Sequence, residues 1–167
     1  FVNDAVSWSS LYGLTLNAER NIGINASITG TSGTLTLNAP GATTQSAPIS
    51  VLGLQLLGIG GTYTLTNSNN LIGTLAGNTG SVTLTNASTL SIGNIITNGL
   101  TASGDINLTA TGLSGQDGIM VNNPLTSTGG NITLTGIGGN GVNGGDGGYG
   151  VYIGSTVTSN AGNISIT

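Results

Sequence analysis

The sequence predicts an all-β chain folded as a parallel β-helix, or β-solenoid, of about seven coils with glycine-rich corner loops. Three observations carry this reading. A core of apolar, polar and apolar residues recurs along the chain. Glycine stands two places before nearly every copy. The residues that follow the copies match best between neighbours in the series.

The repeat is most visible near the carboxyl end. "GVYIGSTVTSNAGNISIT" (150–167) nearly duplicates "GIMVNNPLTSTGGNITLT" (118–135), 32 residues earlier. The recurring cores are Leu14-Thr15-Leu16, Leu35-Thr36-Leu37, Tyr63-Thr64-Leu65, Val82-Thr83-Leu84, Ile106-Asn107-Leu108, Ile132-Thr133-Leu134 and Ile164-Ser165-Ile166. Their spacings of 21, 28, 19, 24, 26 and 32 residues suit coils of two or three short strands. Each core alternates with period two, the mark of a strand buried on one face. The preceding glycines are Gly33, Gly61, Gly80, Gly104, Gly130 and Gly162, as expected for sharp corners or positive φ. Asn17, Asn38, Thr66, Thr85, Thr109, Thr135 and Thr167 follow the cores directly, so like residues tend to fall on like. In-register parallel strands about 4.8 Å apart have this property. A second strand family is expected at Ile22-Gly23-Ile24, Leu90-Ser91-Ile92, Ile119-Met120-Val121 and Val151-Tyr152-Ile153. Leu84, Leu108 and Leu134 should form one inward column. Glycine is too frequent for helices to persist.

Composition narrows the class. The chain has 167 residues, including 31 Gly, 26 Thr and 20 Asn, and reads as one segment over residues 1–167. Only Asp4, Glu19, Arg20, Asp105, Asp117 and Asp146 are charged, whereas about a quarter is usual. The surface must therefore be solvated by hydroxyls and amides. Positive mean hydropathy, +0.27, argues against disorder. A net charge of −4 with a single Arg excludes a phosphate-binding patch, so no nucleic acid partner is expected. The most apolar stretch, 49–59, is too short and too interrupted to cross a membrane. Without Cys there is no disulfide framework.

The stretches "LTLNAERNIGINASITGTSGTLTLNAPG", "GNTGSVTLTNASTLSIG" and "GNITLTGIGGNG…GGYGVYIGSTVTSNAGNISIT" resemble the repeat region of filamentous-haemagglutinin-type exoproteins. These are bacterial adhesins exported by two-partner secretion. The resemblance covers nearly the whole chain. It implies a right-handed β-helix, an extracellular or cell-surface location, and an adhesive or structural role. Asn122-Asn123-Pro124-Leu125 touches the Asn-Pro motif of that family's secretion module only faintly, and the secretion role is not carried onto it.

Candidate chemistry is sparse. A β-helical polysaccharide-degrading enzyme needs clustered acids with a cation, and here the carboxylates are scattered. Without His, Ser-His-Asp catalysis is excluded. No catalytic, cofactor or metal residue is therefore assigned, and no enzyme is expected. Glu19-Arg20 reads as an exposed turn pair. Asp105 reads as a solvated strand-start residue in a column with Thr34, Thr62, Ser81, Asn131 and Asn163. The glycine-rich loop Gly136 to Gly150 approaches a calcium repeat, but Asn143 stands where an Asp ligand is needed and Asp146 is alone. Asn25, Asn86, Asn107, Asn131 and Asn163 open Asn-x-Ser/Thr triplets. Tyr63 should lie in the core, and Tyr149 beside the loop should be exposed.

The function expected is a structural or adhesive rod segment that associates end to end. Its partners would be further β-helix coils at both ends, from the same chain or identical subunits, and a surface receptor or glycan. The sequence reaches its last core strand without a cap, which predicts such continuation. The alternative is an ice-binding solenoid using outward Thr-x-Thr ladders such as Thr62/Thr64/Thr66 and Thr83/Thr85.

Overall fold

The computed structural model describes residues 1–141 and 146–167. Among these residues there is no helix, and every pairing between strands is parallel. One sheet of seven strands stacks Ile22–Ile24, Ala42–Gln45, Thr62–Leu65, Ser81–Asn86, Ile106–Thr111, Ile132–Ile137 and Ile164–Ile166 in chain order. Six turns of the solenoid separate its first strand from its last.

A second sheet of eleven strands forms the rest of each coil. Three long strands, Ile28–Asn38, Ile49–Leu57 and Leu71–Thr79, run through its middle. In later coils each long strand is replaced by two short ones. Leu90–Ile92 and Leu100–Ala102 both pair with Leu71–Thr79. Ile119–Val121 and Leu125–Ser127 follow, then Val151–Ile153 and Val157–Ser159. The break before Leu125 falls at Pro124, which has no N–H to give a ladder.

The inward residues form continuous apolar columns. Leu84, Leu108 and Leu134 are in register and buried, as expected from the sequence. Tyr63 is also buried. The register corrects the alignment of the first cores. Leu14 and Leu35 stack on Leu54, Leu75 and Ile92 in the eleven-stranded sheet, not on Tyr63. Beneath Tyr63 lie Thr43 and then Ile22, so Ile22–Ile24 does not belong with the family of Leu90, Ile119 and Val151. The 28-residue interval thus crosses from one sheet to the other. The missing strand is Ala42–Gln45, "ATTQ", whose inward residue is a threonine. An apolar alternation search cannot see it.

The recurrent glycines are corners of close approach. Positive φ occurs at Gly58, Gly60, Gly99 and Gly115, none of which is in the recurrent column. A Cβ on Gly80 would lie 2.5 Å from the Gly60 carbonyl carbon, and one on Gly162 would lie 2.5 Å from the Gly130 carbonyl oxygen. Successive corners stack backbone on backbone, with Gly80 N donating to Gly61 O and Gly104 N to Gly80 O. Gly33 is different: it lies under Trp8, whose Nε1 would be 2.2 Å from an added Cβ.

Polar side chains inside the corners satisfy the turns. The Thr79 hydroxyl donates to Gly58 O or Gly61 O, and Ser127 Oγ donates to Gly104 O or Gly130 O while accepting from Gly130 N. Ser159 repeats the device, linking Gly130 O and Gly162 N. On another corner Asn70 is fully buried. Its Oδ1 accepts from Ile49 N and Gln45 Nε2, and its Nδ2 donates towards Gln45 Oε1, Leu65 O and Thr85 O. One coil on, Asn86 Oδ1 accepts from Ile72 N at 2.8 Å and Nδ2 donates to Ser88 O. Buried backbone groups left unpaired would cost about 1–3 kcal/mol each, so these residues set which turns close.

Tyr63 serves one such corner. Its hydroxyl lies among the carbonyls of Leu37, Ala39 and Leu57 and accepts from Ala39 N. Burial pushes the phenol pKa up, while hydrogen bonding at Ala39 and the neighbouring Thr43 and Thr79 hydroxyls pull it partly back.

Two outcomes follow. Leu108→Ala should lower stability by roughly 2–5 kcal/mol, as large core truncations do, while Thr109→Ala on the exposed face should stay within about 0.5 kcal/mol; denaturant unfolding of both variants checks this. For Tyr63 the folded pKa lies above the unfolded value, so the folded state keeps a proton that the unfolded chain releases. Its contribution is complete below about pH 10 and is lost as pH rises through the folded pKa. Melting curves above that pH should therefore decline more steeply in the native chain than in Tyr63→Phe, and parallel curves would refute the assignment.

Candidate functional site

The outward face of the seven-stranded sheet is a registered array of small polar groups. Gly23, Thr44, Thr64, Thr83, Asn107, Thr133 and Ser165 form one column. Thr85, Thr109 and Thr135 form the next. Strands about 4.8 Å apart with side chains every second residue make this a regular lattice. Its chemistry is hydroxyl and amide, without charge.

The leading edge of that sheet has a structural task. Asp105 Oδ1 accepts from Asn131 N at 2.7 Å, and Asn131 Oδ1 accepts from Asn163 N at 2.9 Å. Asn21 Oδ1 does the same for Ala42 N at 2.8 Å. Each carboxylate or amide thus holds the first N–H of the next coil. Asp105 is exposed, as expected, but it is a rung of this staircase as well as a solvated group. Thr34 is not in its column, since it pairs with Gly53 in the other sheet.

The remaining candidates are dispersed. Glu19 and Arg20 are both exposed on the turn before Ile22–Ile24. Asn25, Asn131 and Asn163 are exposed and Asn107 is half-buried, but Asn86 is buried with its carboxamide fully engaged and is unavailable for glycosylation. Among the described residues no group of three or more His, Cys, Asp or Glu could hold a metal ion. Asn143 lies outside the described residues, and Asp146 is exposed.

The two flanks of the glycine-rich loop are laid on the preceding coil's loop, Gly112 to Gly118. Gly115 N donates to Asn140 O, Gly139 N to Gln116 O, Gly148 N to Gly139 O and Gly118 N to Tyr149 O. Asp117 Oδ1 accepts from Tyr149 N at 2.7 Å. Glycines are required because the strands of the loop nearly touch: a Cβ on Gly148 would be 1.9 Å from Gln116 O. This contact holds Tyr149 outward, 69% exposed, beside Tyr152, 44% exposed, with ring centroids 6.5 Å apart and planes tilted by 32°. Next to them Thr89, Gly115, Gln116, Asp117 and Met120 line a hollow of about 270 Å³. Met120 is the direct register neighbour of Tyr152. Sequence reasoning saw no tyrosine cluster, because two residues separate the pair and only the fold of the loop brings the rings together.

A second loop forms a strap. Between Leu90–Ile92 and Leu100–Ala102 the chain folds back over Gln55, whose Nε2 donates to Thr97 Oγ1 at 2.8 Å and whose Oε1 accepts from Ile96 N at 3.1 Å. Gln55 is fully buried although its side chain points away from the core. Nothing in the local sequence signals this, since the cover comes from about 40 residues downstream.

No protein-family model matches the chain, and comparisons with curated proteins and with solved structures find no match.

Proposed function

We propose that this chain is a structural and adhesive rod segment of a bacterial cell-surface or secreted exoprotein, of the filamentous-haemagglutinin type, and that it has no enzymatic role. The observation that carries the reading is the uninterrupted stack of coils around one apolar core. Such an array is quasi-one-dimensional: each coil contacts only its neighbours, and length is added without changing the cross-section. The dispersal of the carboxylates along the stack, with single acids at Asp105 and Asp117 already holding backbone N–H groups, supports a non-catalytic role. So does a surface of hydroxyls and amides, which stays soluble without charge outside the cell.

Further β-helix coils, from the same chain or an identical subunit stacked head to tail, are the partners this reading assigns to both end faces. In the last coil Ile153, Ile164 and Ile166 are 42%, 44% and 48% exposed, while their register neighbours Val121, Ile132 and Leu134 are buried. Their strands also present an unpaired edge, a template for another strand. A head-to-tail contact of this kind does not close into a ring.

A second reading, ice binding, draws on the registered Thr64–Thr83 and Thr85–Thr109–Thr135 columns. It is weakened by Asn107 and Ser165 within the lattice. One set of measurements separates the two. The rod reading expects negative-stain images of the protein to show end-to-end particles and expects no thermal hysteresis. Monodisperse single particles at all concentrations, or clear hysteresis with ice-crystal shaping, would overturn it.

A further inference from the structure

We propose that the loop corner built by Thr89, Gln116, Asp117, Met120, Tyr149 and Tyr152 is a binding site for a neutral oligosaccharide. The proposal deepens the adhesive part of the reading above and rests on it, since it supplies that surface with a ligand class and an address.

The rings come first. Two adjacent tyrosines are held 69% and 44% exposed, although large apolar area in water is unfavourable. They are fixed there: the Tyr149 backbone is tied to Asp117 and Gly118, and Tyr152 lies in a strand paired with Ile119–Val121. The face of an aromatic ring is electronegative and takes up polarised C–H groups, which one face of a pyranose ring presents.

The polar groups beside them are of the matching kind. Asp117 Oδ1 is used by Tyr149 N, and among the described residues no hydrogen bond involves its second oxygen. Gln116 is exposed. Its Oε1 lies 3.3 Å from Thr89 Oγ1, whose single proton goes to the shorter bond with Asp117 O, and among the described residues its Nε2 makes no hydrogen bond and is left to donate. Thr89 is oriented by donating to Asp117 O at 2.6 Å. A carboxylate oxygen and an amide N–H side by side accept from and donate to vicinal hydroxyls. At about 270 Å³ the hollow is smaller than a pocket for a drug-sized molecule, so it suits one sugar residue of a chain that runs on across the surface.

Charge selects the class. The nearest formal charge is the Asp117 carboxylate, and the only cationic side chain, Arg20, sits on the turn before Ile22–Ile24, four strand steps from Ile106–Thr111 in the seven-stranded sheet. A sulfated or uronic-acid saccharide would meet repulsion with no compensating cation. A neutral glycan meets none.

The test is titration calorimetry of the whole chain with neutral hexasaccharides of glucose, galactose, mannose and N-acetylglucosamine, and with a sulfated galactan fragment. At least one neutral probe should bind, and the sulfated probe should bind more weakly. Tyr152→Ala and Asp117→Asn should each weaken binding about tenfold or more. Tyr152→Phe, which keeps the ring, should stay within about twofold. Should a variant lose its β-sheet circular dichroism, tyrosine ring chemical shifts of the native chain on adding sugar report the same contact. The proposal fails if no neutral probe binds at about 10 mM, if the sulfated probe binds best, or if binding survives Tyr149→Ala/Tyr152→Ala in a folded protein. Particle length in images is independent of sugar binding, so this failure and a failure of the rod reading are distinguishable.

Discussion

Everything in this molecule depends on parallel strands lying in register, about 4.8 Å apart, from one coil to the next. The spacing forces like onto like. A leucine meets a leucine above and below it, as at Leu84, Leu108 and Leu134, and a corner glycine meets another corner. It also explains why so few charges are present. A charged column would bring like charges within about 5 Å of each other along its whole length. Threonine, serine and asparagine can be stacked without that repulsion, and threonine suits the pleated strand as well.

Register alone does not close a coil, because each turn exposes backbone groups that the ladder cannot reach. The solution is a small set of polar side chains aimed inward at the corners. Thr79, Ser127 and Ser159 serve the glycine turns, and Gln45, Asn70 and Asn86 serve the opposite ones. On the outside, Asn21, Asp105 and Asn131 hold the first N–H of the coil above. Insertions are tolerated where a corner can open. The strap over Gln55 and the loop around Tyr149 both leave the stack there, and both return to cover or decorate the outer surface. The core supplies length, and chemistry that differs from coil to coil is confined to these excursions.

The fold was legible in the sequence because its determinants are local and repeated: alternation, corner glycines and matching flanks all lie within a few residues of each core. Two things were not. The sheet to which a strand belongs leaves no mark on three alternating residues, so Leu14 and Leu35 aligned with Tyr63, whereas they stack with Leu54. The strand that would have exposed the error, Ala42–Gln45, turns Thr43 inward and breaks the apolar pattern. The tyrosine corner was hidden for another reason. Its members come from three segments, and their convergence depends on hydrogen bonds between glycine-rich loops, most of them backbone to backbone, that leave no mark in the sequence. The Asn-x-Ser/Thr triplet at Asn86 looks in sequence like the exposed ones at Asn25 and Asn131, because a buried amide and an exposed one are alike until its partners, Ile72 and Ser88, are located.

The register can be read directly by cross-linking, since the native chain has no cysteine to interfere. Neighbouring parallel strands place their Cα atoms within the span a disulfide requires, about 4.4–6.8 Å. Thr64 and Thr83 are register partners on the outer face, whereas Thr36 pairs with Gln55 on the other sheet. Under mild oxidation the Thr64→Cys/Thr83→Cys protein should form an intramolecular disulfide in high yield, and Thr36→Cys/Thr64→Cys should not. A disulfide in the second protein and none in the first would contradict the stacking on which the whole account rests.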